Sequence, residues 1–288
     1  MKLRKYFILI INLLAGLVSY SQSVADVVGF ADDEFAKGNF AIAAQEYNRA
    51  LFFGSDRTDV LSLQIGHCYT ELSNYQMAAD FYDHAYKYSN DDSIKNESSL
   101  GKAFCLLLQK MNLQAIEELL YITDNANKEQ KIKMHYLKGI AYFGMKEDTL
   151  ACDEMKNVLE LSGYSESDTV SNLLLAEFDK VYRYNKRYNP NRGYIMSAII
   201  PGSGQMSVGA IKEGINSMLL IAGLYFFAFE IIKSYSFIDA VITLLPWLQR
   251  YYMGGMDKAK GLAISKIEVK RYESYQKILE LTTPEYYR

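Results

Sequence analysis

"AKGNFAIAAQEYNRAL", residues 36–51, is written a second time as "ELSNYQMAADFYDHAY", residues 71–86. Phe40 aligns with Tyr75, Ala43 with Ala78, Tyr47 with Tyr82 and Ala50 with Ala85, each pair 35 residues apart. A further copy, "LKGIAYFGMKEDTLACDEMKNVLEL" (137–161), sets Gly139, Tyr142, Ala151, Met155 and Val158 at the internal spacing of Gly66, Tyr69, Ala78, Tyr82 and Ala85. Between them, "AFCLLLQKMNLQAIEELL" (103–120) is a looser copy. Self-similarity at a fixed period marks a repeat architecture, in which one unit cannot bury its apolar face alone and the copies stack. Small residues such as Gly66, Ala78 and Ala85 let two helices approach, and Tyr47, Tyr69 and Tyr82 fill the groove between neighbouring hairpins. The expected fold is therefore all-α, with about four repeats over residues 27–162, the third degenerate. "DTVSNLLLAEFDKVYRY" (168–184) reads as a capping or linking helix with Asp168 or Thr169 as N-cap.

With these residues in view, the segment resembles tetratricopeptide repeats. That resemblance implies a concave groove for a protein or peptide partner. By the family pattern, first-helix positions one residue after the small one line the groove: Asp32, His67 and Ile140, with Tyr136 nearby. The alternative is that these four are ordinary surface or inter-repeat contacts.

Charge divides the chain. Residues 22–185 carry 15 basic against 26 acidic side chains, and residues 186–288 carry 13 against 8. All four prolines, Pro190, Pro201, Pro246 and Pro284, lie in the second part, which places a junction between two units near residues 185–193. The acidic first part favours a basic or polar partner, although an acidic surface also aids solubility. Ahead of both parts, Lys2, Arg4 and Lys5 precede an apolar run from Tyr6 to Val18, and Ser19 and Ser21 stand before Gln22. This is the charged, apolar, small-residue order of a secretory signal over residues 1–21. An uncleaved anchor is the alternative reading. Export favours no DNA- or nucleotide-dependent cytosolic role, and no nucleic-acid partner is expected.

"AIIPGSGQMSVG" (198–209) opens the second part's main feature. Gly202 and Gly204 are followed by Ser207 where a dinucleotide loop needs its third glycine, and the Lys-Ser/Thr ending of a phosphate-binding P-loop is missing. The next forty residues are largely apolar: Gly214 to Phe229 is uncharged, and a second run after Lys233 contains Asp239 and closes with Trp247, Arg250, Tyr251 and Tyr252. The two runs read as a membrane hairpin over residues 193–256, slightly short for the bilayer core, with Pro201, Gly202, Gly204 and Gln205 as the turn at the surface. Ser203 and Gln205 are placed to satisfy backbone groups freed by the turn. A buried soluble helical core is the competing reading. The region also resembles a group of bacterial membrane proteins in which P-G-x-G-Q precedes a hydrophobic hairpin. The match rests on Pro201, Gly202, Gly204, Gln205, Gly209, Gly214 and "WLQRYYMGG" (247–255), departing at Ser207 and Val208. It implies a small membrane domain and carries no activity.

Residues 257–288 read as a separate basic amphipathic helix, either lying on anionic headgroups or packed on the repeats. Basic residues flank the hairpin on both outer sides, which the positive-inside tendency would place in the cytoplasm. Either the hairpin dips into one leaflet without crossing, or the charge rule yields to the export signal, whose three-part order is the more specific pattern.

Catalytic patterns are weak. His67, His84 and His135 match no metal spacing, His67 and Cys68 point about 100° apart on a helix, and Cys68, Cys105 and Cys152 fall within repeat helices as core filler. No cofactor and no metal site is expected. The expected protein is an exported adaptor or scaffold of the bacterial cell envelope, periplasm-facing and attached to a membrane, the inner rather than the outer. It binds a protein or peptide and membrane lipid. The alternatives are a subunit of an envelope transport or assembly complex, and an enzyme using Glu230, Asp239 or Arg250 where the chain enters the hairpin.

Overall fold

The computed structural model describes residues 23–165 and 167–283. The expected signal segment, residues 1–21, lies outside them. The described chain is helical throughout, with no strand, and it divides into two compact units after Ser162.

The first unit holds four consecutive hairpins: α1 (Val24–Ala36) with α2 (Phe40–Phe52), α3 (Thr58–Glu71) with α4 (Tyr75–Tyr88), α5 (Asp92–Leu108) with α6 (Asn112–Glu118), and α7 (Lys128–Gly144) with α8 (Asp148–Ser162). Four of these helices, α1, α4, α5 and α7, start at a side-chain cap. Ser23 with Asp26, and Asn127 with Gln130, form reciprocal capping boxes, and Asn74 and Asp91 accept from backbone N–H groups of the first turn. Every hairpin then turns through one residue with positive φ: Gly38, Ser73, Lys110 and Lys146. The same two backbone bonds recur at each turn, as in Ser73 N–H to Thr70 O and Asn74 N–H to Tyr69 O, or Lys110 N–H to Leu107 O and Met111 N–H to Leu106 O. This is the Schellman closure, which satisfies the last carbonyls of the first helix.

The small-to-large logic of the repeats is visible in the packing. Ala31, Ala43, Ala50, Ala78 and Ala85 are wholly buried, as are Tyr47 and Tyr82. The Tyr82 ring is wedged between two glycines: a Cβ on Gly66 would lie 2.7 Å from the ring, and one on Gly101 2.5 Å from it. Gly139 meets Met155 in the same way, at 2.7 Å. The third hairpin is the irregular one. Its second helix stops at Glu118 and passes into a single 3-10 turn, Leu119–Tyr121. Buried Asn96 secures the loop beyond that turn, donating to Thr123 Oγ1 (3.1 Å) and accepting from Thr123 N–H (2.9 Å).

The second unit contains α9 (Thr169–Arg187), α10 (Pro190–Ile199), α11 (Ser203–Ser207), α12 (Ile211–Ser234) and α13 (Phe237–Thr282). Asp168 stands at the N-cap of α9, its carboxylate accepting from Ser165 N–H at 2.6 Å. The segment read as a linking helix thus belongs with the second unit, where buried Glu177 of α9 faces Lys277 of α13 at 3.9 Å. A larger difference concerns α13. The expected boundary at 256/257 falls inside this single 46-residue helix, so the hairpin's second arm and the basic terminal helix are continuous. Gly254–Gly255 does not break it, and Pro246 lies within it. Gly255 instead marks close approach, because a Cβ there would lie 2.9 Å from Ser217 Oγ of α12.

Candidate functional site

Of the groove residues expected in the first unit, Asp32 is exposed, His67 and Ile140 are half-buried and Tyr136 is buried. Asp32 accepts from Tyr47 OH at 2.6 Å, and His67 Nδ1 meets Tyr82 OH at 3.0 Å. In both cases the position after the small residue meets a tyrosine fifteen residues later, on the second helix of its own hairpin. The Tyr82 hydroxyl also meets Thr70 Oγ1 (3.1 Å), which lies 3.4 Å from Cys105 Sγ. Burial holds the His67 imidazole below its ordinary pKa and pushes the Tyr82 hydroxyl up. Burial likewise raises all three thiols, Cys68 to about 12, so none is an activated thiolate. No group of three or more His, Cys, Asp or Glu side chains arranged to hold a metal occurs among the described residues.

A third copy that begins at Ala103 passes over Gly101 and Lys102, although the signal was present: Gly101 follows Gly66 by 35 residues. Lys102 follows Gly101 as His67 follows Gly66, and it pairs with Asp83 (2.6 Å) and Glu118 (2.8 Å). Burial opposes its charge, but the two carboxylates prevail and hold its pKa above the ordinary lysine value. Of the expected set, Asp32 lines an open groove of about 560 Å³, with Val28 and Leu61 as apolar wall and Asp56 and Arg57 as charged lining.

In the second unit the P-G-S-G-Q stretch forms a junction of four helices. Pro201 follows the C-cap of α10, and Gly202 turns the chain at φ +90°. The backbones are in contact: a Cβ on Gly202 would lie 2.1 Å from Gly214 O, and one on Gly204 2.0 Å from Gly193 O. Only glycine permits both approaches. Gln205 is fully buried. Its Oε1 accepts from Ser197 Oγ (2.9 Å) and its Nε2 donates to Gly255 O (2.8 Å), tying α11 to α10 and α13. Ser203 Oγ donates to Met196 O at 2.7 Å, and Tyr252 OH donates to Ala198 O.

Beyond this junction, one helix among the described residues, α12, is long and apolar enough to cross a membrane, at about 36 Å by helix rise. It leaves Phe226 63%, Phe227 60% and Phe229 64% exposed. The first third of α13 likewise exposes Ile238, Ile242, Leu245 and Trp247. The cleft between the two helices is lined only by apolar and aromatic side chains, among them Leu224, Ala228, Leu244 and Leu248. Glu230, Asp239 and Arg250 are exposed and do not line it. No protein-family model and no curated protein sequence matches the chain.

Proposed function

We propose that this chain is an exported, membrane-attached adaptor or scaffold of the bacterial cell envelope. In this reading the first unit is a tetratricopeptide-type array that holds a protein or peptide partner, and α12 with the start of α13 is its membrane anchor. The observation that carries the reading is the exposure of α12. A soluble monomer rarely leaves a contiguous apolar surface of this kind in water, because each large apolar side chain left exposed forgoes about 1.5–3 kcal/mol of burial. Lipid removes that cost without any protein partner. The polar groups at the junction support the same reading, since Gln205 and Ser203 satisfy backbone carbonyls that lipid could not.

The groove beside Asp32 supports the partner-binding half. Apolar Val28 and Leu61 sit among Asp32, Asp56 and Arg57, a mixture suited to a peptide carrying a basic and an apolar side chain. The test combines fractionation with capture. The mature chain should stay in the membrane through high salt and alkaline carbonate, and residues 23–162 alone should be soluble, helical and cooperatively folded. Tagged protein drawn from solubilised envelopes should bring a partner that Asp32→Ala and Val28→Asp release, the half-buried Val28 being the groove's accessible apolar side chain. A full-length chain freed by salt alone would overturn the anchor. Membrane subunits recovered in fixed stoichiometry would make the chain part of an assembly complex instead of a lone adaptor.

A further inference from the structure

We propose that the concavity at the foot of α12 is a binding site for the phosphodiester of an anionic phospholipid, held by Arg187 and Arg192. The choice of a lipid over a free phosphate rests on the proposed membrane anchor. The cavity is about 210 Å³ in volume and is lined by Arg187, Tyr188, Asn189, Arg192, Ser207 and Val208, together with buried Gly193. It therefore lies where the last residue of α9, the first turn of α10 and the end of α11 come together.

Its electrostatics are one-sided. Two arginines line it and no acidic residue does. Arg187 lies over the ring of Tyr188, 5.4 Å to the centroid, and Arg192 makes no ion pair among the described residues. An arginine fork matches phosphate oxygens two at a time, and here two arginines border one space. Asn189 commits its Oδ1 to the N–H groups of Asn191 (3.0 Å) and Arg192 (3.3 Å), which leaves its Nδ2 hydrogens as further donors.

The surroundings decide between the two sources of phosphate. Arg192, Ile195 and Ile199 fall on one face of α10 at i, i+3 and i+7, and Ile195 and Ile199 are 57% and 75% exposed. Ile211 and Ile215 are exposed on α12, a few residues past Val208. A headgroup held by the two arginines would lay its acyl chains along these isoleucines, whereas a free phosphate has no use for them.

The test uses the full mature chain in neutral detergent. It is titrated with dioctanoyl phosphatidylglycerol, dioctanoyl phosphatidylcholine and inorganic phosphate, with bound copies counted by native mass spectrometry. Saturable binding of one phosphatidylglycerol, tighter than phosphatidylcholine, is expected. The double variant R187Q/R192Q should weaken it on the order of tenfold to thirtyfold, with the melting midpoint unchanged, while K258Q/K260Q on α13 leaves it intact. Undiminished binding by R187Q/R192Q overturns the site. Inorganic phosphate or phosphatidylcholine binding as tightly as phosphatidylglycerol overturns the anionic-lipid assignment. Carbonate extraction of the parent keeps the two readings apart. A chain that stays in the membrane yet shows no preference for phosphatidylglycerol sinks this site alone, and a chain found soluble sinks the anchor.

Discussion

The two units join helices in different ways. In the first, contact runs through side chains: the Tyr82 ring fills the space over Gly66 and Gly101, and Met155 fills that over Gly139. In the second, backbones touch directly, Gly202 against Gly214 and Gly204 against Gly193, with buried Gln205 bonding across the junction. The burial patterns differ as well. The hairpins of the first unit hide Val27, Ile65, Leu119 and Leu137, whereas α12 turns most of its apolar residues outward. Where water surrounds a helix, burying side chains drives packing. At the junction of the second unit, glycines in backbone contact and buried hydrogen bonds hold the helices instead.

This contrast can be broken at its strongest point first. Gly204→Ala should cost more than about 4 kcal/mol, because its Cβ would meet a backbone oxygen that has no side-chain torsion to relieve it. Proteolysis should then cut residues 163–283 while sparing residues 23–162, and a fully protease-resistant variant would show that the junction is not glycine-locked. Within the first unit, Gly101→Ala and Ala78→Leu should each cost about 1–3 kcal/mol by overpacking, read as a lower melting midpoint of residues 23–162. Gly139→Ala should cost less, since it meets the flexible end of Met155 and not a ring. Equal losses at Gly101 and Gly139 would remove the distinction.

Smaller effects sharpen the description of the repeats. Lys110 is exposed and sits at φ +62°, so Lys110→Gly should raise stability by about 0.5–1 kcal/mol, measured by urea unfolding. The weakest expected effect is a pH dependence. Burial depresses the folded-state pKa of His67, so the unfolded chain binds its proton first as pH falls. Stability of the first unit should therefore decline as pH drops below about 6.5 and level off below the folded value. His67→Gln should make that decline shallower, with His84, also depressed by burial, accounting for part of the remainder.

Much of the helical plan was legible because it is periodic. The 35-residue spacing of Tyr47 with Tyr82 announces a repeated unit, and the copy read as degenerate is the one whose second helix stops short at Glu118. Other features had no local signature. Ser73, Lys110 and Lys146 adopt the conformation of Gly38 without its chemistry, since closing the hairpin imposes it. The boundary expected at 256/257 is absent, and α13 continues through Gly254 and Gly255, because flanking helix formers and packing along α12 outweigh two weak positions.

The all-helical character, the repeat, the change of composition in the second half and the apolar run of α12 are all readable along the chain. Each is a property of residues close together along the chain, where helical periodicity and turn chemistry act. What the glycines and polar residues of the junction do depends on contacts between helices distant in the chain. Gln205 lies fifty residues from Gly255, and Gly202 twelve from Gly214. Whether such groups meet depends on how four helices cross, and no local pattern carries that information. The same holds for Arg187 and Arg192, which stand on separate helices and share one cavity only once the chain has turned at Asn189.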